Sequence, residues 1–189
     1  MGNDVVESSH AIDNMAISNV PKKESYDGLK LHGHLDVRVK HPDGTEKILC
    51  DKTDNFFTAD GIDHMLLSFY NATADNYKGP AIYLGVSSDT GTTVTKTRSD
   101  LAGEITTGGL KRAEMTTKGT HTDGTNTSIS EHTFIATAVH TDVTKAAVFT
   151  KLTDATAGNI MTNIAPFDAP ETLQINSQLT VKWTFQLGS

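Results

Sequence analysis

The motif "HGH" places His32 and His34 two residues apart, on one face if the segment is a strand. That spacing can supply two imidazole ligands to zinc, but no third ligand lies nearby in sequence. The apolar residues of the segment, Leu31, Leu35 and Val37, take the opposite parity, so the pair reads first as two solvated strand histidines. Gly33 between them predicts a β-bulge. His121, His132 and His140 are scattered over strands and a loop without zinc-site spacing. Acidic residues raise calcium next. "DKTDNFFTADGID" offers Asp51, Asp54, Asp60 and Asp63, but lacks the alternate ligands, central Gly and closing Glu of an EF-hand loop. Asp60 reads as a helix cap. "HTDGTNTS" and "TDATAGN" read as turns in which Asp and Asn bond their own backbone, with a loop calcium as the alternative.

Nucleophilic and phosphate chemistry find no motif. "LGVSSDTG" is not a nucleophile elbow, and there is no P-loop, dinucleotide fingerprint or zinc-protease helix motif. The lone cysteine, Cys50 in "KILCDK", rules out an internal disulfide and reads as a small buried strand residue. Lys22–Lys23 and Lys111–Arg112 read as solvated pairs rather than phosphate sites, given the net charge of −7. An all-β enzyme would require two carboxylates converging in a groove, such as Glu104 with Glu114 or Glu131. A carbohydrate- or receptor-binding module would show a surface aromatic cluster, for which only Tyr26, Tyr70 and Tyr77 offer themselves in a chain that is 6% aromatic. No catalytic, cofactor-binding or metal residue is therefore assigned.

The elements that would position any site are mostly strands. "LKLHGHLDVRVKHPDGTEKILC" (Leu29–Cys50) predicts a hairpin turning at "HPDG", where Pro42 pre-sets φ and Gly44 takes the positive φ. "FTADGIDHMLLSFY" (Phe57–Tyr70) predicts the one helix, capped by Thr58 or Asp60, with Ile62, Met65, Leu66 and Phe69 turned to a sheet. Strands follow at "PAIYLGVSS", "GLKRAEMTTK", "ISEHTFIATAVH", "VTKAAVFTKL" and "IMTNIA". "GTHTDGTNTS" is expected to be a long hairpin tip, and "PFDAPETLQINSQ", with two prolines, a connection. The chain closes on "QLTVKWTFQLGS". From Leu179 to Leu187, five apolar residues including Trp183 and Phe185 alternate with polar ones. Strict alternation means one face in a core and one in water, so this final strand is expected to be central.

These readings bound the fold. A chain of 189 residues suits one domain, able to bury about 70% of its unfolded surface. Abundant threonine favours half-wet strands. The expectation is a mainly β protein: an antiparallel β-sandwich or jelly-roll-like domain over residues 28–189, with one short helix. Residues 1–27 show no sustained period and read as an extended N-terminal arm. No stretch is long and apolar enough for a membrane span, and the acidic start lacks signal-peptide and myristoylation patterns, so a cytoplasmic site of assembly is expected. The acidic balance argues against nucleic-acid binding.

Three stretches together resemble structural proteins of tailed phages and related viruses. Asn55, Thr58 and Gly61 fit "N-x-x-T-x-x-G" before a short helix; Tyr83, Leu84 and Gly85 fit a "Y-[IL]-x-[LI]-G" strand. Leu101 and Glu104 fit "L-x-x-E", with a basic pair downstream. Phe134, Ala136, Thr137, Val148, Phe149, Leu179, Val181, Trp183 and Phe185 fit the closing patterns. Thr144–Phe149 reads "TKAAVF" where that group often has "E-x-G-L-F". The resemblance spans roughly residues 50–187. It implies a non-enzymatic virion component assembled in a host cytoplasm, without cofactor. The role would be capsid decoration (a cement protein) or a tail or baseplate part. Its partners would be the major capsid or other virion proteins, or further copies of itself. The arm and the loops at Asp89–Asp100 and Gly119–Asn126 would reach those neighbours.

Overall fold

A computed structural model describes residues 31–52, 56–70, 79–91, 100–121, 125–153 and 159–187. The expected arm, residues 1–27, lies outside them. Ten strands and one helix follow in order: β1 (Leu31–Lys40), β2 (Glu46–Lys52), β3 (Phe56–Phe57), α1 (Ala59–Tyr70), β4 (Tyr83–Ser87), β5 (Ala113–Glu114), β6 (Thr117–His121), β7 (Thr127–Ile135), β8 (His140–Phe149), β9 (Met161–Leu173) and β10 (Gln178–Leu187). They form two five-stranded antiparallel sheets, ordered β2-β1-β10-β7-β6 and β3-β9-β8-β4-β5. The mainly β, two-layered architecture with one short helix is the one the alternation predicts.

β10 sits in the middle of its sheet, between β1 and β7. Leu179, Val181 and Trp183 are fully buried, and Phe185 packs at the end of the same stripe. Burying the first three is worth on the order of 7 kcal/mol in gross transfer terms. That rivals a typical net stability of about 5–15 kcal/mol, so the domain depends on its final strand. Leu35 and Val37 of β1 lie opposite Trp183 and Val181, and Phe134 of β7 lies opposite Leu179, so one face of the sheet is apolar across three strands.

The strands β7 to β10 cross between layers twice. β7 passes to β8 through residues 136–139, and β9 returns to β10 through residues 174–177. The two crossings are tied together: the Ala136 N–H donates to the Ser177 carbonyl (2.9 Å) and the Asn176 N–H to the Ala136 carbonyl (2.7 Å). On another side of the sandwich, β2 leans on β9. Lys47 pairs with Glu171, Lys52 Nζ lies 2.9 Å from Asp168, and the Cys50 thiol points at the Pro166 carbonyl.

Several expectations are corrected. "IMTNIA" and the proline-bearing connection after it are one 13-residue strand, β9. Pro166 and Pro170 are tolerated because β3 flanks β9 only at Asn163 and Ile164, and the β8 ladder is irregular between Val143 and Lys145. Prolines belong at such edges and bulges. "GLKRAEMTTK" is not one strand: β5 pairs with β4 in one sheet and β6 with β7 in the other, the chain changing layers around Met115. The tip of the next hairpin is shorter than expected, since His121 still pairs with Ser128. β1 shows no bulge at Gly33; the irregularity lies on β2, where Leu49 is the extra residue between Cys50 and Ile48.

The helix docks through a cap rather than an apolar stripe. Thr58, not Asp60, is the cap: its hydroxyl accepts from the Gly61 N–H (2.9 Å) and donates to the Met161 carbonyl on β9. A Cβ at Gly61 would overlap the backbone of Thr162, so only glycine permits this approach. The rotation that seats Gly61 and His64 inward leaves Ile62 and Leu66 exposed, contrary to the helical-face expectation.

His132 points into the core, beside Val181 and edge-on to Phe134 (4.6 Å between ring centroids). Desolvation holds its pKa, and that of His64, below the ordinary value. Protons therefore favour the unfolded chain. The stability of these neutral rings is fully present above the unfolded pKa of about 6.5 and falls as pH drops below it. The thermal midpoint should decline between about pH 7 and pH 5. His132→Phe should flatten that decline, by up to about 1.4 kcal/mol per pH unit. An unchanged slope in His132→Phe would remove His132 from the account.

Candidate functional site

The outer face of the second sheet carries the densest polar chemistry. β4 and β8 run side by side there, and residues 100–112 lie against them. The Ile105 N–H donates to the Val86 carbonyl (2.9 Å), the Ser88 N–H to the Gly103 carbonyl (3.0 Å), and the Ser87 hydroxyl to the Ala102 carbonyl (2.6 Å). Leu101 then covers Ala147, Phe149, Met161 and Ile164. This covering explains why β8 is buried from Val143 through Phe149, on both faces.

Arg112 closes the arrangement. It is 4% exposed, which corrects the solvated-pair expectation for Lys111–Arg112; Lys111 alone is exposed. Its Nε donates to Glu104 Oε1 (2.8 Å) and its Nη2 to Glu104 Oε2 (2.6 Å), a bidentate fork. Nη1 donates to the Lys151 carbonyl and to Asn159 Oδ1, each at 3.1 Å. The guanidinium lies 3.4 Å above the Phe149 ring. At Gly85 a Cβ would stand 3.1 Å from both Glu104 Oε1 and the Phe149 ring, so glycine keeps room for the fork over the sheet. Tyr83, Gly85, Leu101, Glu104 and Phe149, drawn from separate motifs of the sequence, thus meet in one place. Both oxygens of Glu104 are engaged by the arginine, so this cluster reads as a clamp.

A second buried pair lies at the end of β4. Lys145, 1% exposed, donates to the Asp89 carboxylate (2.7 Å) and carbonyl (2.5 Å), while Thr144 donates to the same carbonyl (2.7 Å). It fixes the start of the Asp89–Asp100 loop, whose residues 92–99 lie outside the described structure.

The other candidates are dispersed. Glu114 pairs with Lys118 on the neighbouring strand segment, and Glu131 sits on β7 of the other sheet, so neither joins Glu104. His34 Nε2 lies 3.0 Å from Asp51, and His32 is exposed beside it. His121 bonds the Thr127 carbonyl and His140 the Gly108 carbonyl. Asp60 and Asp63 stay on the solvent side of α1; Asp54 lies outside the described residues. Among the described residues no three His, Cys, Asp or Glu approach as a metal site, and no helix is long and apolar enough to cross a membrane. Burial pushes the Cys50 thiol up to about 11, as for an inert core cysteine. Tyr26, Tyr77 and Lys22–Lys23 fall outside the described residues, as does the Tyr70 side chain.

One end of the sandwich has a different character. The tied crossings at 136–139 and 174–177 are joined by the turn at 107–110, through the Thr137 N–H donating to the Gly108 carbonyl (2.8 Å). These loops and the adjoining end of β7 carry Ile135, Val139 and Ile175, each just over half exposed (52%, 53% and 51%). Backbone cross-bonding makes this end rigid; the three side chains make it apolar. Sequence reading missed it because Ile135 and Ile175 look like ordinary core residues until the crossings place them outside.

No family model, curated protein or solved structure matches the chain.

The clamp sets a stability test. Glu104→Gln and Arg112→Met should each cost about 3–5 kcal/mol in urea unfolding, because each leaves a buried partner uncompensated. Arg112→Met combined with Glu104→Leu should recover much of that loss. Single variants within about 0.5 kcal/mol of the parent, the range of ordinary surface changes, would contradict the clamp.

Proposed function

We propose that the protein is a non-enzymatic structural component of a virus particle, a capsid decoration protein that grips neighbouring subunits through its loops and N-terminal segment. The observation that carries this reading is the rigid loop end bearing Ile135, Val139 and Ile175. Preordered backbone loses little entropy on docking, and exposed apolar side chains on it gain by being covered. Two further features support it. The buried charges are spent within the chain, Arg112 on Glu104 and Lys145 on Asp89, which suits a part whose work is shape. Among the residues that resemble tailed-phage structural proteins, Thr58 and Gly61 build the helix dock, Tyr83, Gly85, Leu101, Glu104 and Phe149 meet at the clamp, and Leu179, Val181, Trp183 and Phe185 form the central strand.

Density-banded particles from the culture that makes this chain test the reading. The wild-type chain should band with intact particles at a fixed copy number. Ile135→Lys combined with Ile175→Lys, folded by circular dichroism, should remain unassembled at the top of the gradient. A wild-type chain absent from particles, or a double variant incorporated as well as the parent, would overturn it.

A further inference from the structure

Where α1, β3 and the segment entering β4 meet the end of the sandwich, a cavity of about 260 Å³ opens. Its walls include Phe57, Met65, Val148 and Phe185, and three polar residues, His64, Asn163 and Thr162, the last with its hydroxyl donating to the Val148 carbonyl (3.3 Å). Asn163 lies on β9 opposite Val148, so both face the space between the sheets. It is 2% exposed, and its Nδ2 is buried without a hydrogen-bond partner. An unmet buried amide donor costs about 1–3 kcal/mol, and an aliphatic side chain of similar size would avoid that cost. The His64 Nε2–H donates to the Gly79 carbonyl at 3.0 Å, and desolvation holds the ring's pKa below the ordinary value. Among the described residues no permanently charged side chain lines the cavity.

We propose that this cavity binds a small, uncharged, mainly apolar molecule whose carbonyl oxygen accepts from the Asn163 side-chain amide. The chemistry of the walls selects this class. The walls are mostly apolar, and the unmet Asn163 Nδ2 donor needs one acceptor, which an oxygen on a hydrocarbon body supplies. A carboxylate would enter without a compensating cation in the wall and would have to shed its hydration. The volume equals roughly nine waters' share of liquid, so the ligand has on the order of ten non-hydrogen atoms. The site shares no residue with the apolar loop end, so it stands or falls separately from the assembly reading.

The probe is 2-octanone, titrated into the full-length chain and followed by amide NMR, with octanoate as the charged comparison. The ketone should give saturable shifts at the Asn163 side-chain amide and around Phe57 and Phe185, and octanoate should bind at least about tenfold more weakly. Asn163→Leu should raise the thermal midpoint of the free protein, because the unmet donor is gone, and weaken the ketone about tenfold. Met65→Trp, which fills the cavity from the helix, should abolish binding and keeps the test decisive if Asn163→Leu does not fold. No saturable ketone binding, octanoate binding as tightly, or Asn163→Leu or Met65→Trp binding like the parent would each overturn the proposal.

Discussion

The burial of one alternating strand organises this molecule. Leu179, Val181 and Trp183 on β10 are removed from water between β1 and β7, and they join the apolar residues of those two strands into one face. A strand that arrives last in the chain yet lies in the middle requires its neighbours to leave a slot. The crossings from β7 to β8 and from β9 to β10 provide it, folding one long antiparallel pairing over the core. Their mutual hydrogen bonds follow from that path, because two antiparallel crossings at one end leave backbone groups that must be satisfied by each other.

The same logic explains the clamp. The second sheet is apolar on both faces around β8, so its outer face needs a cover. Residues 100–112 supply one, but a loop has backbone carbonyls and few apolar side chains. Arg112 reconciles the two demands: its plane lies on Phe149 while its donors meet Glu104, Asn159 and the Lys151 carbonyl. Lysine has no such plane and no such fork. The apolar groups left facing outward include the loop end and, on α1, Ile62 and Leu66.

Much of this was legible in the sequence, for a physical reason. Period-two alternation at Leu179–Leu187, the "HPDG" turn and the Thr58–Gly61 helix start are local signals, and each appears where expected. What escaped depends on distant partners. Pro166 and Pro170 read as breakers because their edge position is set by the shortness of β3. Arg112 read as solvated because the ring and carboxylate that hold it lie 37 and eight residues away. The cavity at Asn163 had no sequence signal, since an asparagine in "IMTNIA" reads equally as a strand-end residue. The split of "GLKRAEMTTK" between layers likewise turns on which strand each half finds.

Native-state hydrogen exchange on the full-length chain tests the central place of β10 most directly. Amides from Val181 to Phe185 should exchange only through global unfolding, with the denaturant dependence of the whole domain, while β6 and β2 at the sheet edges open earlier. If the β10 amides exchange as readily as those edges, the strand does not hold the sandwich together.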